Sequence, residues 1–97
     1  MGEMPIREKY ENVAQKFFIS YEQLLREGLK YYLLYRKQEF MNEKFEILSR
    51  YAVTNVNELE EKIKHGVLPE HPSWEDLIDL RNLEREIQGI QYDISYL

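Results

Sequence analysis

The chain has no cysteine, three prolines and four glycines in 97 residues, and no long uninterrupted apolar run. Each scarcity removes a class of explanation. Without cysteine there is no disulfide, no thiolate nucleophile and no Cys-based zinc or iron–sulfur site, so stability has to come from packing. No run approaches the ~20 apolar residues of a membrane span, and the opening Met-Gly-Glu-Met-Pro-Ile-Arg-Glu-Lys lacks the apolar core of a signal peptide. The expected location is cytoplasmic, away from membranes. Between Ile6 and Tyr51 there is no proline, a single glycine (Gly28) and no cluster of Asn, Asp, Ser and Gly. Such a stretch reads as helix.

What is present fits a small folded domain. Hydrophobic residues make up 43%, including eight Tyr, four Phe and one Trp, beside 32% charged residues, a balance too apolar for intrinsic disorder. A chain of this length forms one domain, here residues 1–97, burying about 60–65% of its unfolded surface. The net charge of −5 is unevenly divided: residues 1–50 hold nine Lys/Arg against eight Asp/Glu, and residues 51–97 hold four against ten. An acidic second half disfavours nucleic acid, whose phosphates need positive surface, and suits a basic partner surface or head-to-tail self-association.

Apolar residues recur at steps of three and four, or their sums, through Ile6, Tyr10, Val13, Phe17, Leu24, Tyr31, Leu34, Met41, Phe45 and Leu48. A second row runs through Ala14, Phe18, Tyr21, Leu25, Tyr32 and Tyr35, so the apolar face is wider than a coiled-coil seam. Unbroken, this first helix spans about 68 Å. A break follows over Ala52 to Asn57, where Asn55 and Glu58 have the form of an N-cap with a carboxylate reaching back. A short helix then runs from about Val56 to His65 with Leu59 and Ile63 on one face. Gly66 occupies the left-handed cap position, and Lys62, Lys64 and His65 match the helix dipole.

The segment Gly66 to Ser73 is the one cluster of loop-forming residues. Ser73 reads as the N-cap of the last helix, with Glu75 and Asp76 in the first turn, and Leu80, Leu83, Ile87, Ile90, Ile94 and Leu97 form a heptad seam. Gly89 beside the seam leaves room for a closely packed neighbour. The fold class is therefore all-α: a long N-terminal helix, a short middle helix and a C-terminal heptad helix packed antiparallel, as a helical hairpin or bundle. The last helix is too short to cover Ile6 to Leu25 as well. Either the first helix breaks near residues 20–28 and folds over, or a second copy buries that half. The lack of a strong breaker favours the second.

Chemistry-bearing residues are sparse. His65 and His71 are the only histidines, and their spacing across a Gly and a Pro is not that of paired ligands one helical turn apart. No metal, cofactor or catalytic residue is expected. Glu58, Glu60, Glu61, Glu75, Asp76 and Asp79 sit in first turns, where the dipole explains them. Arg26, Lys30, Arg36 and Lys37 interleave with Tyr31, Tyr32, Tyr35 and Phe40, a composition able to stack on bases, yet also that of a helix face with its hydroxyls and cations at the margin. Trp74, directly after Ser73, is expected to plug the end of the helical hairpin, with partner contact as the other reading.

Lys44-Phe45-Glu46, Ser49 to Val53, Asn57 to Ile63, Gly66, His71-Pro72, Trp74-Glu75-Asp76 and Leu83-Glu84 give a pattern that resembles a group of small helical prokaryotic proteins. Those are similar to the antitoxin-like member of two-gene toxin-antitoxin pairs. The resemblance covers about residues 44–86 and implies a noncatalytic, protein-binding role. No ribbon-helix-helix or helix-turn-helix DNA reader accompanies it.

The expected function is a noncatalytic helical interaction module that forms a homodimer and binds a protein partner. The expected interface comprises Tyr10, Val13, Phe17, Tyr21, Leu24, Tyr31, Tyr32, Tyr35 and Trp74. Two alternatives stand beside it. One is a small all-helical enzyme in the size class of the helical chorismate mutases, whose ordered Arg, Lys and Glu pattern this chain lacks. The other is nucleic-acid binding through Arg26 to Phe40.

Overall fold

A computed structural model describes residues 5–97, so the signal-peptide reading of Met1 to Met4 lies outside the described residues. Four helices account for about four-fifths of the described chain: α1 (Ile6–Lys16), α2 (Tyr21–Arg50), α3 (Val56–Lys64) and α4 (Glu70–Ser95). The fold is all-α.

Of the two readings of the first helix, the break near Ser20 holds and the preferred unbroken helix does not: the helix stops between Lys16 and Tyr21. Phe17 caps α1, Phe18 takes a left-handed φ of 58°, and Ser20 caps α2 by accepting from the Gln23 N–H at 3.0 Å. Ile19 N–H reaches Ala14 O at 3.1 Å and Phe18 N–H reaches Gln15 O at 3.2 Å, the paired bonds of a Schellman ending. The break is thus a regular helix stop built on phenylalanine where glycine is usual. α2 ends the same way: Ala52 has φ 51°, and Val53 N–H bonds Leu48 O at 3.2 Å. α3 ends with Gly66 at φ 72° and Val67 N–H on Lys62 O at 3.0 Å, as its glycine predicts.

α3 opens on Asn55, whose side chain accepts from the Glu58 N–H at 2.8 Å. The Glu58 carboxylate reaches back one residue further than a strict capping box, taking both the Thr54 N–H and the Thr54 hydroxyl at 2.9 Å. The Thr54 N–H, and then the Thr54 hydroxyl, both donating to that carboxylate, hold the Glu58 pKa below its ordinary value.

The opening of α4 departs from expectation. Its first turn starts at Glu70, His71 is non-helical, and the His71–Pro72 peptide is cis. Ser73 is buried and does not cap; its hydroxyl donates to Pro69 O. A hydroxyl taken out of water needs a partner, and the incoming carbonyl supplies it.

α4 runs antiparallel to α2, as the ion pairs Arg50–Asp76 (3.6 Å) and Lys44–Glu84 (3.2 Å) require. Ile47 and Leu48 from the end of α2, Val53, Val56, Leu59 and Ile63 around α3, and Leu77 and Leu80 from α4 form one core. Each fully buried Leu there contributes about 1.5–3 kcal/mol from area alone. The heptad seam points inward as far as Ile94, with Leu80 and Ile90 buried and Leu83, Ile87 and Ile94 half-buried, while its last expected member, Leu97, is exposed. Gly89 has no heavy atom within 4 Å of where a Cβ would stand, so no neighbour packs closely there. Trp74 is not a plug. Ser73, Leu77 and Leu80 hold the inward line of α4, and Trp74, one residue or about 100° round the helix, is 48% exposed.

The other end of the molecule is different. α1 folds onto the start of α2, yet Ala14 is its single buried residue, and no residue of α2 before Ile47 is buried. The molecule extends 66 × 30 × 17 Å with a radius of gyration of 20.4 Å, against about 12–13 Å for a compact domain of this length.

Candidate interaction surface

The α1–α2 end carries the expected face. Tyr10 and Val13 from α1 meet Leu24, Leu25, Gly28 and Leu29 from α2 along an open apolar groove of ≈ 450 Å³. Gly28 and the two leucines Leu25 and Leu29 lay outside the expected interface, although Leu25 belongs to the second apolar row. The leucines stand four residues apart and belong to the face that α1 turns toward, which becomes legible once α1 is known to fold back. Tyr21 is half-buried, with the Arg7 guanidinium 4.6 Å above its ring, a stabilising arrangement for cation and ring. Phe17, at the end of α1, is exposed.

Tyr31, Tyr32 and Tyr35 lie further along α2 and are all more than half exposed. Arg36 is drawn into their group: its Nη1 donates to the Tyr32 hydroxyl at 3.1 Å and its guanidinium lies 5.2 Å from the Phe40 ring. Its Nε is 3.1 Å from Glu39 Oε1 but too bent to count as a hydrogen bond. The Tyr32 hydrogen bond, with Glu39 behind it, raises the Arg36 pKa above its ordinary value. Lys37 is half-buried and lines a second groove with Met41, Phe45 and Ile87. Of the basic stretch read as a nucleic-acid candidate, these two cations are therefore engaged in the helical packing.

Trp74 is not part of this surface. It stands on the first turn of α4, two residues from Asp76, which bonds Tyr51 and pairs with Arg50 at the far end of α2. From Tyr35 to Arg50 the helix rises about 22 Å.

The acidic residues have mostly local duties. Glu60 pairs with Arg81 at 2.8 Å and Lys64 at 3.7 Å, Glu61 with His65 at 3.6 Å, and Glu75 with His71 at 3.2 Å. The two histidines thus face different carboxylates on different helices, and no group of three or more His, Asp and Glu able to hold a metal occurs among the described residues. A grouping that spacing along the chain did not reveal is made by Glu43 and Glu46 of α2 with Asp79 and Glu86 of α4. They line a groove of ≈ 410 Å³ floored by Ile47 and Leu83, with Arg50 at its edge. Only the antiparallel register of α2 and α4 brings them together. No helix of the described chain is long and apolar enough to cross a membrane.

One comparison identifies relatives. The chain matches the uncharacterized protein MJ0235 family over residues 4–97. It belongs to that family. No curated protein and no solved structure matches it. For this MJ0235-family chain the surface itself is what carries the functional argument.

Proposed function

We propose that the protein is a noncatalytic helical interaction module that associates with a second copy of itself through the aromatic face of α1 and the first half of α2. The observation that carries this reading is an excess of surface. The accessible area is 7443 Å² for 11.9 kDa, about 1,400 Å² more than the ~6,000 Å² of a compact monomer of that mass. A standard stable interface removes about 800 Å² from each partner, so one such interface accounts for more than half of the excess. The apolar residues available for it are concentrated at the α1–α2 end: Tyr10, Val13, Phe17, Leu25, Leu29, Tyr31, Tyr32 and Tyr35. Tyrosine-rich patches suit interfaces because each ring offers large apolar area with a polar tip.

A second protein partner with a basic surface completes the proposal, as in the antitoxin-like members of two-gene pairs. The Glu43, Glu46, Asp79 and Glu86 groove supports it, being the place where carboxylates from two helices converge. The cytoplasm is the proposed compartment. The test of self-association is sedimentation equilibrium of wild type, Phe17→Glu and Tyr21→Glu. A wild-type dimer that dissociates in both variants is the expected result, and a wild type that stays monomeric at several hundred micromolar contradicts it.

A further inference from the structure

We propose that the two copies associate by exchanging α1, each chain opening at Phe17–Ser20 so that its α1 packs on the α2 of the other in place of that copy's own α1. The inference rests on the self-association just proposed and commits the Leu24, Leu25 and Leu29 face of α2 to one occupant, the α1 of a second copy. Four features of the molecule lead to it.

The link between α1 and α2 is short, and short hinges held in a costly conformation favour exchange. Phe18 carries a φ of 58°, a backbone region that opposes a Cβ and that glycine occupies freely. Its side chain offers nothing in return, being 96% exposed. Straightening the hinge releases that strain.

The closed arrangement also holds α1 weakly. Ala14 is its one buried residue, while Tyr10, Val13 and Phe17 keep 40% or more of their surface exposed. Opening in each chain therefore gives up little, and the same helix–groove packing is regained in trans.

The apolar pattern runs straight through the break. Tyr10, Ala14, Phe17, Tyr21, Leu24, Gly28, Tyr31 and Tyr35 follow alternating steps of four and three, a heptad line that is continuous in space only when α1 and α2 form one helix. Nothing in Phe17-Phe18-Ile19-Ser20 forbids helix: there is no proline and no glycine. An opened chain gives one helix from Ile6 to Arg50.

The symmetry of exchange then explains the exposed aromatics of the hinge. Because α1 turns back on α2 about the hinge, exchange places the hinge segments of both copies at the two-fold axis. Phe17 and Phe18, at 69% and 96% exposed in the closed chain, meet their counterparts there. Burying four rings at one point supplies what the closed chain lacks.

Two hinge variants separate exchange from a simple face-to-face dimer. Phe18→Ala and Phe18→Gly both remove the ring, so loss of its contacts is equal in the two. Glycine alone relieves the left-handed strain of the closed hinge, and it also weakens the continuous helix. Exchange predicts a dimer dissociation constant at least tenfold higher in Phe18→Gly than in Phe18→Ala, measured by sedimentation. Equal constants overturn exchange and leave a face-to-face dimer standing. A covalent readout is independent of the hinge: in a cysteine-free chain, Val13→Cys with Leu25→Cys places one thiol on each side of the groove. Oxidised at concentrations where the dimer is populated, exchange gives disulfide-linked dimers on a non-reducing gel. Closure within single chains, with the dimer intact in sedimentation, overturns exchange; closure within single chains beside a wild type that never dimerises overturns self-association itself.

Discussion

The Tyr51 hydroxyl donates to Asp76 Oδ2 at 2.5 Å, tying the residue that ends α2 to the first turns of α4. Burial, then the bond to Asp76 and its charge, push the Tyr51 pKa from 10.0 up to about 12. The same carboxylate pairs with Arg50 at 3.6 Å, and Lys62 Nζ donates to the Tyr51 carbonyl at 3.4 Å. One residue therefore fastens α2, α3 and α4 together at the end where the core lies.

Replacing Tyr51 with Phe removes a hydrogen bond to a charged acceptor and is expected to cost about 1.5–3 kcal/mol. Urea unfolding of Tyr51→Phe against wild type measures it. The pH dependence has a definite sign. A group whose pKa is raised on folding contributes stability that is complete below its unfolded value and is lost as pH rises through the folded one. Wild-type stability should fall between pH 10 and about 12 more steeply than that of Tyr51→Phe, and parallel curves would show the bond to be unimportant.

Glu58 has the opposite sign. Its depressed pKa contributes stability that is present above the unfolded value and lost as pH falls through the folded one. Glu58→Gln should lower the melting temperature at neutral pH and flatten its decline on acidification below the ordinary Glu value of 4.5. A neutral-pH melting temperature equal to wild type would deny the cap its role.

Gly89 lies inside α4 with open space where a Cβ would be. Gly89→Ala should stabilise by about 1 kcal/mol, visible as a higher urea midpoint with unchanged slope. Trp74→Ser tests the outward orientation of Trp74, with an expected cost near 0.5 kcal/mol or less. A loss above about 2 kcal/mol would mean that the ring is part of the core after all.

The core and the α1–α2 end should also differ in local stability. Amides of α4 near Leu77 and Leu80 are shielded by the core, whereas α1 buries Ala14 alone. Hydrogen exchange under conditions favouring the monomer should show α1 opening at much lower free energy than α4. Concentrations that populate the dimer should raise the protection of α1, and uniform protection along the chain at low concentration would contradict this division.

The helical class, the cap at Asn55, the stop at Gly66 and the inward seam from Leu80 to Ile94 were legible because each is written in residue types with one dominant local use. The stop after α1 was legible only as one of two options, at Ser20. Its left-handed position holds Phe18, and helix endings are read from glycine or proline. Trp74 was misplaced for a different reason: the turn before it runs from Pro69 to Ser73 with His71 outside helical space, so the inward line falls on Ser73 and Leu77. Of the expected surface, Tyr10, Val13 and Leu24 do share one groove. Leu25 was on the second apolar row, but its partner Leu29 and the carboxylates around Ile47 and Leu83 depend on helix register, which spacing along the chain does not contain.

Sedimentation equilibrium of the wild-type chain across low to several hundred micromolar concentration tests the central claim most directly. A reversible monomer–dimer equilibrium whose dimer is lost in Phe17→Glu and Tyr21→Glu is the expected result. A single 11.9 kDa species throughout would contradict it.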